Sequence, residues 1–277
     1  MAMMVLAAGC SQSPTAPRNL VLPLPAGKTA NPPVIISITG PTTRREAGTD
    51  IALSAVVEDV DTPLSQLTFA WTANVGTIVG NGASAVFRLA PGIQKGVDVV
   101  VTLTVIEAFT GKRNGQPIAQ EFRVSRQAAP FRVHDSVAEL KELARRFLID
   151  LFGNSAISPV DALVDFSENG PCKQGRAEEL QDLINHRRDY VVLERSLNGQ
   201  SVFFTSPDTA IIDNDAFFRD LRRSDLFIGT TRGNFPLTAV YESGRWWLCT
   251  SGFDDDLKGD GGLATIKRNR GRTIIKK

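Results

Sequence analysis

The sequence predicts two folded domains, an all-β sandwich followed by an α+β domain. Two observations predict this. Short strands separated by turn residues fill 34–126 with no helical period, and after residue 130 apolar residues first recur at spacings of 3 and 4 and then give way to antiparallel strands up to residue 253. The chain is long enough for two cores, since its 277 residues are 42% hydrophobic and 22% charged. Charges nearly cancel, with 31 Lys and Arg against 30 Asp and Glu. No global field therefore draws the protein to nucleic acid, which is not an expected partner. No apolar run approaches the roughly 20 residues that cross a bilayer.

In the first domain, residues 34–38, 50–57, 67–71, 85–89 and 97–106 read as strands, and 122–124 would close the sheet. Ile51, Leu53, Ala55 and Val57 alternate and mark one buried face. Gly40-Pro41, Asn81-Gly82 and Pro91-Gly92 are turn signals between strands. The acidic loop Glu58-Asp59-Val60-Asp61, the strand Leu67-Thr68-Phe69-Ala70-Trp71 and the turn Gly76-Thr77-Ile78-Val79-Gly80 follow in that order. Together they resemble bacterial PKD-type and related immunoglobulin-like domains. That resemblance implies an immunoglobulin-like sandwich with Trp71 as its central buried residue, acting as a spacer or adhesive unit. Glu58, Asp59 and Asp61 could offer hard oxygens to Ca²⁺. The plainer reading is a solvated acidic turn, and no metal is expected.

The second domain opens after a polar bridge at 125–129. Ser136 with Glu139 reads as a capping box, and Val137, Leu140, Ala144, Phe147, Leu148 and Leu151 then line one helix face as far as Gly153. Shorter helices are expected at 159–166 and 176–188, the latter burying Leu180, Leu183 and Ile184. Residues 190–197 and 200–204 flank Asn198-Gly199, a strong two-residue hairpin signal. Further strands follow at 209–212, 226–229, 236–241 and 246–250, the last pair turning at Ser243-Gly244. This order, the run 144–152 and the final aromatic hairpin from Leu237 to Leu248 resemble the nuclear transport factor 2-like, or SnoaL-like, fold. The resemblance implies a cone-shaped barrel across 130–253, with helices packed on a bent antiparallel sheet, a ligand inside the cone and pairing of two copies through the sheet.

Enzymes of that family use Asp, His or Tyr at the bottom of the cone, where burial lifts a carboxyl toward neutrality. The resemblance makes Asp161, Asp165, His186 and Tyr190 the catalytic candidates here, together with Tyr241. None sits in a recognisable Asp/His dyad, so structural roles outweigh catalytic ones. Two histidines, His134 and His186, without an H-E-x-x-H motif are too few for a zinc hydrolase, and no G-x-S-x-G or phosphate-binding glycine loop is present. A cysteine nucleophile would need Cys172 or Cys249 beside His186. Trp246 and Trp247 are strand neighbours and point to opposite faces. With Tyr241 they are the candidates for a ligand-pocket wall, core packing being the plainer role. No cofactor is expected.

Val5-Leu6-Ala7-Ala8-Gly9-Cys10 resembles the lipobox of bacterial lipoproteins. That resemblance implies that Cys10 carries a diacylglycerol anchor and becomes the first residue after cleavage. Residues 1–10 hold no Lys or Arg and are short for an export signal, which is therefore expected to be incomplete. Residues 11–33, rich in Ser, Thr, Pro, Ala and Asn, read as a flexible spacer, and 254–277 as a charged tail. With Cys10 lipidated, Cys172 and Cys249 remain as an even pair in an exported chain. The expected outcome is a Cys172–Cys249 disulfide, the alternative being two buried thiols packed as small apolar groups.

The expectation is a non-enzymatic lipoprotein of the bacterial envelope, at the outer membrane or cell surface rather than the inner membrane. It would present a spacer or adhesive sandwich and a binding domain for an envelope protein, a peptide or a small apolar ligand. The competing readings are a tethered isomerase or dehydratase acting on a small apolar substrate, and a calcium-dependent adhesion module.

Overall fold

The structure, a computed structural model, describes residues 22–23 and 31–251. In chain order the first strands are β1 (Leu22–Pro23), β2 (Val34–Thr39), β3 (Arg45–Glu46), β4 (Ile51–Glu58), β5 (Thr68–Ala73) and β6 (Thr77–Val79). Then come β7 (Ser84–Arg88), β8 (Val97–Val99), β9 (Val101–Arg113), β10 (Gln116–Gln127) and β11 (Phe131–His134). Helices α1 (Ser136–Arg145), α2 (Pro159–Ala162) and α3 (Cys172–Asp189) follow, α1 running on through a π-helical turn over Arg146–Leu151. The chain continues with β12 (Tyr190–Ser206), β13 (Thr209–Arg222), β14 (Ile228–Asn234), β15 (Leu237–Glu242) and β16 (Arg245–Ser251).

Two compact units share these elements. Of the described residues, the first takes those up to Thr42, Asp50–Arg88 and Val99–Phe131; the second takes Thr43–Thr49, Leu89–Asp98 and those from Arg132 onward. Two segments from within the expected first domain, 43–49 and 89–98, thus belong to the second unit.

The first unit holds two four-stranded sheets, one in the order β2-β4-β7-β6 and one in which β9 pairs with β1, β5 and β10. Ile35, Val57, Leu67, Phe69, Leu103 and Val105 form its core, drawn from both sheets. Alternation explains β9, whose buried residues Val101, Leu103, Val105, Glu107 and Phe109 are every second one. Four are apolar and one is a glutamate. Trp71 is only half-buried and donates from Nε1 to the Gly82 carbonyl at 2.9 Å, so it is not the deeply buried centre expected of it. β10 is longer than the expected 122–124 because Asn114 and Gly115, at φ 52° and 78°, adopt the tight turn whose twist matches a hairpin.

In the second unit β3, β11 and β8 make a small sheet, and β12-β13-β15-β16 a larger one with β14 added on β13. Asn198-Gly199 makes no hairpin. Neither residue has positive φ, and the pair lies inside the 17-residue β12 at a register shift between Leu197 and Gly199, so it is a bulge. The turn comes instead at Pro207-Asp208, between Ser206 and Thr209. α1 is capped by Asp135, whose side chain accepts from the Ala138 amide, rather than by Ser136. α3 starts at Cys172, ahead of the expected residue 176, and buries Cys172, Gly175, Glu179 and Leu183, leaving Ile184 exposed. This face lies close against β16, since a Cβ on Gly175 would fall 2.4 Å from Thr250 Cγ2 and 2.5 Å from the Cys249 carbonyl. Leu140, Phe147, Leu148, Phe166, Leu183, Ile212, Leu237, Trp246 and Leu248 share the core of this unit.

The expected fold, an immunoglobulin-like sandwich followed by an α+β cone, is overturned. The described residues are mostly β, 52% strand against 19% helix, in several sheets, and a cone of helices packed on a sheet is not evident among them. The physical reason lies in strand length. β13 alternates between buried and half-buried residues over ten positions from Thr209 to Phe218, so polar residues between the apolar ones continue the strand beyond its expected end at residue 212.

Candidate functional site

A cleft of about 400 Å³ in the second unit is lined by α2, the segment that follows it, α3 and the β15–β16 hairpin. Ser158 caps α2 by accepting from the Asp161 amide, and its hydroxyl donates to the Asp161 carboxylate at 2.7 Å. Segment 165–167 is held beside β16 because the Leu248 amide donates to the Asp165 carbonyl and the Ser167 amide to the Leu248 carbonyl, each at 2.8 Å. Trp247 forms one wall. Its Nε1 donates to the Glu242 carbonyl at 3.2 Å, and the Arg245 guanidinium sits 3.5 Å from its ring centroid, a cation–π contact. Glu242 Oε1 accepts from Ser167 Oγ and from Asn169 Nδ2, which fixes the carboxylate at the rim.

The cleft's charge is lopsided. Asp161, Glu168 and Glu242 line it against the single guanidinium of Arg176, which is itself paired with Glu168 at 3.2 Å. Val160 and Val164 beside them are exposed. Such a surface can hold a group that is positively charged at one end and apolar along its stem.

A second polar cluster lies deeper in the same unit. His134 Nδ1 lies 2.9 and 3.0 Å from the two Glu139 oxygens, and its Nε2 meets the Tyr241 hydroxyl at 2.9 Å. Trp246 Nε1 donates to Ser136 Oγ at 2.8 Å, and that hydroxyl donates to Glu46 at 2.7 Å. Arg44 lies over the Tyr241 ring at 4.2 Å. Burial pushes the Tyr241 hydroxyl up, the Glu139 charge adds to this, and Arg44 opposes it. A phenol pushed that way is a poor base at neutral pH, and both histidine nitrogens are already engaged. The cluster is a satisfied internal network.

No family model matches the chain, and no curated protein matches it. Nothing in these comparisons identifies a PKD-type or SnoaL-like domain.

The remaining expected residues scatter. Asp161 is exposed on the cleft rim, whereas Asp165 is buried and pairs with Arg146 at 3.3 Å and Arg245 at 3.4 Å. Neither meets a Tyr or His. His186 stacks on Tyr190 with ring centroids 5.2 Å apart, and its Nε2 lies 3.5 Å from Asp220, a partner that sequence reading missed on β13. Arg187, near the end of α3, donates to the carbonyls of Leu151, Phe152 and Ile157, and burial pushes its pKa down. Of the three aromatic candidates, Trp246 and Tyr241 are engaged internally and Trp247 lines the cleft. Cys172 and Cys249 are joined in a disulfide, so neither offers a nucleophilic thiol.

In the first unit, Asp59 and Asp61 come together with Glu107 of β9, while Glu58 is exposed and outside the cluster. Glu107 was legible in principle, as a charge at an inward position of an otherwise apolar alternation. Cys10 and the 254–277 tail lie outside the described residues. Among the described residues no helix is long and apolar enough to cross a membrane.

Proposed function

We propose that the chain is a non-enzymatic, lipid-anchored envelope protein that binds a basic, partly apolar peptide segment in the cleft beside Trp247. One observation carries the binding reading: three carboxylates surround exposed valines and a tryptophan wall, with one arginine among them. A lysine or arginine side chain of a ligand would lay its stem on Val160 and Val164 and its charge toward Glu242 and Asp161.

Tryptophan fluorescence titrated with short Lys/Leu peptides is expected to report saturable binding that weakens with salt. Glu242→Gln should weaken it about tenfold, the loss of one charge-assisted contact worth about 1.4 kcal/mol. Glu/Leu peptides of equal length should not bind. Equal binding of both peptide types, or binding indifferent to Glu242→Gln, would reject the cleft as the site.

The anchor is supported by the residues around Cys10 and by the Ser- and Pro-rich stretch after it. Expressed with a complete export signal upstream, the chain is expected to incorporate labelled palmitate, and Cys10→Ala to incorporate none. Label absent from the wild type would remove the anchor from the reading.

A second reading, an isomerase- or dehydratase-type enzyme, has one observation in its favour. His186 Nδ1 and Asp220 Oδ1 are buried without a hydrogen-bond partner beside the 3.5 Å contact between His186 Nε2 and Asp220 Oδ2. These residues do not line the cleft. His186→Ala therefore leaves peptide binding intact under the first reading.

A further inference from the structure

We propose that the first unit carries a calcium site formed by Asp59 and Asp61, from the connection between β4 and β5, and Glu107 of β9. The inference is independent of the cleft. One ligating oxygen from each of the three carboxylates lies within 4.8 Å of the others. Two oxygens on opposite sides of one Ca²⁺, each about 2.4 Å from it, are about 4.8 Å apart, so the group fits inside a single coordination sphere. All the donors are hard oxygens, with no imidazole or thiolate among them, which suits Ca²⁺ over zinc or copper.

Proximity of acids alone would not make a site. The decisive observation concerns Glu107, which comes from a neighbouring strand and not from the acidic loop. Its side chain is 1% exposed, placed among Val105, Leu103 and Phe109 on the inward face of β9, and its Oε2 has no hydrogen-bond partner. Asp59 Oδ2 and Asp61 Oδ1 are likewise buried without one. A buried, unpartnered carboxylate oxygen is costly, and three of them together repel one another as well.

The other oxygen of each carboxylate is held by donors of the protein. Asp59 Oδ1 accepts from the Asp61 and Thr62 amides at 3.0 and 2.8 Å. Asp61 Oδ2 accepts from the Asn31 amide and Nδ2 at 2.9 and 3.2 Å. Glu107 Oε1 accepts from Thr62 Oγ1. Every acid is thus oriented by one oxygen and left with a second one open, the arrangement of a pre-positioned ligand set. A bound ion would tie three pieces of the unit together: the segment at Asn31, the loop after β4, and β9.

The test uses the full chain, stripped with EDTA and titrated with CaCl₂ by calorimetry, with thermal melting in parallel. Saturable uptake at the first unit is expected, with a dissociation constant of about 1 mM or tighter, and a higher melting temperature in CaCl₂. Glu107→Gln and Asp61→Asn should each weaken uptake at least about tenfold, and Glu58→Gln should leave it unchanged. Glu107→Gln should melt no lower than the wild type in EDTA, because it removes a repelling charge. If Glu107→Gln fails to fold, Asp61→Asn, in the loop, carries the comparison. No saturable uptake by the wild type, or uptake equal in wild type and the two ligand variants, would overturn the site.

Discussion

Replacing Cys172 and Cys249 together with alanine is expected to lower the stability of the second unit by about 4.5 kcal/mol. The bond closes a sequence separation of 77, and the entropy that such a cross-link removes from the unfolded chain amounts to about 4.5 kcal/mol at 25 °C. It also holds the first residue of α3 against β16, on the same helix face where Gly175 lets the backbones approach. Denaturant midpoints read the effect, and wild-type protein under reducing conditions should approach the variant. A midpoint that reduction does not move would show that packing alone holds α3 in place.

Stability is also expected to fall as pH rises from about 4.5 to about 7, and Glu179→Gln to abolish most of that slope. Burial pushes the Glu179 carboxyl up to about 7 from its ordinary 4.5, with the nearby Asp182 charge adding to it and the hydrogen bond from Ser251 opposing it. The sign follows from which state holds the proton. Below about pH 4.5 the carboxyl is protonated whether the chain is folded or not, and its contribution is fully present. As pH rises, the unfolded chain releases the proton first, which favours unfolding until the folded chain also ionises near pH 7. The whole displacement corresponds to about 3 kcal/mol. Glutamine keeps the shape and removes the charge, so the variant should exceed the wild type at pH 8 and differ little from it at pH 4.5. Urea titrations at those two values decide the matter; a wild type equally stable at both would count against a buried, proton-holding Glu179. Cys172 and Glu179 both act on how α3 sits against β16, since Ser251 of β16 donates to Glu179. Their effects should therefore not add independently.

Period and turn chemistry carried much of the local structure. The alternation of Ile51, Leu53 and Val57 is the buried face of β4, and Ser243-Gly244, at φ 51° and 80°, turns β15 into β16. Leu140, Ala144, Phe147, Leu148 and Leu151 are buried on one face of the first helix and its π-helical extension. Where two local signals conflicted, packing decided. The same Asn-Gly dipeptide makes a tight hairpin at 114–115 and a bulge at 198–199, because β12 continues past the second pair to stay in register with β13.

By itself, then, the sequence determined the strand-rich character of residues 34–126, the place of the first helix and the final hairpin, since these follow from side-chain period and backbone preference within a few residues. Only the tertiary structure decided which distant side chains meet. His134 finds Tyr241 across 107 positions, Ser136 finds Glu46 across 90, and Glu107 reaches Thr62, next to Asp61, across 45. It also decided that segments 43–49 and 89–98 join the second unit and that the fold is mostly β. The physical reason is that element type is set by neighbours along the chain, whereas partners are set by how the sheets and helices close on one another. No period in the sequence records that closure.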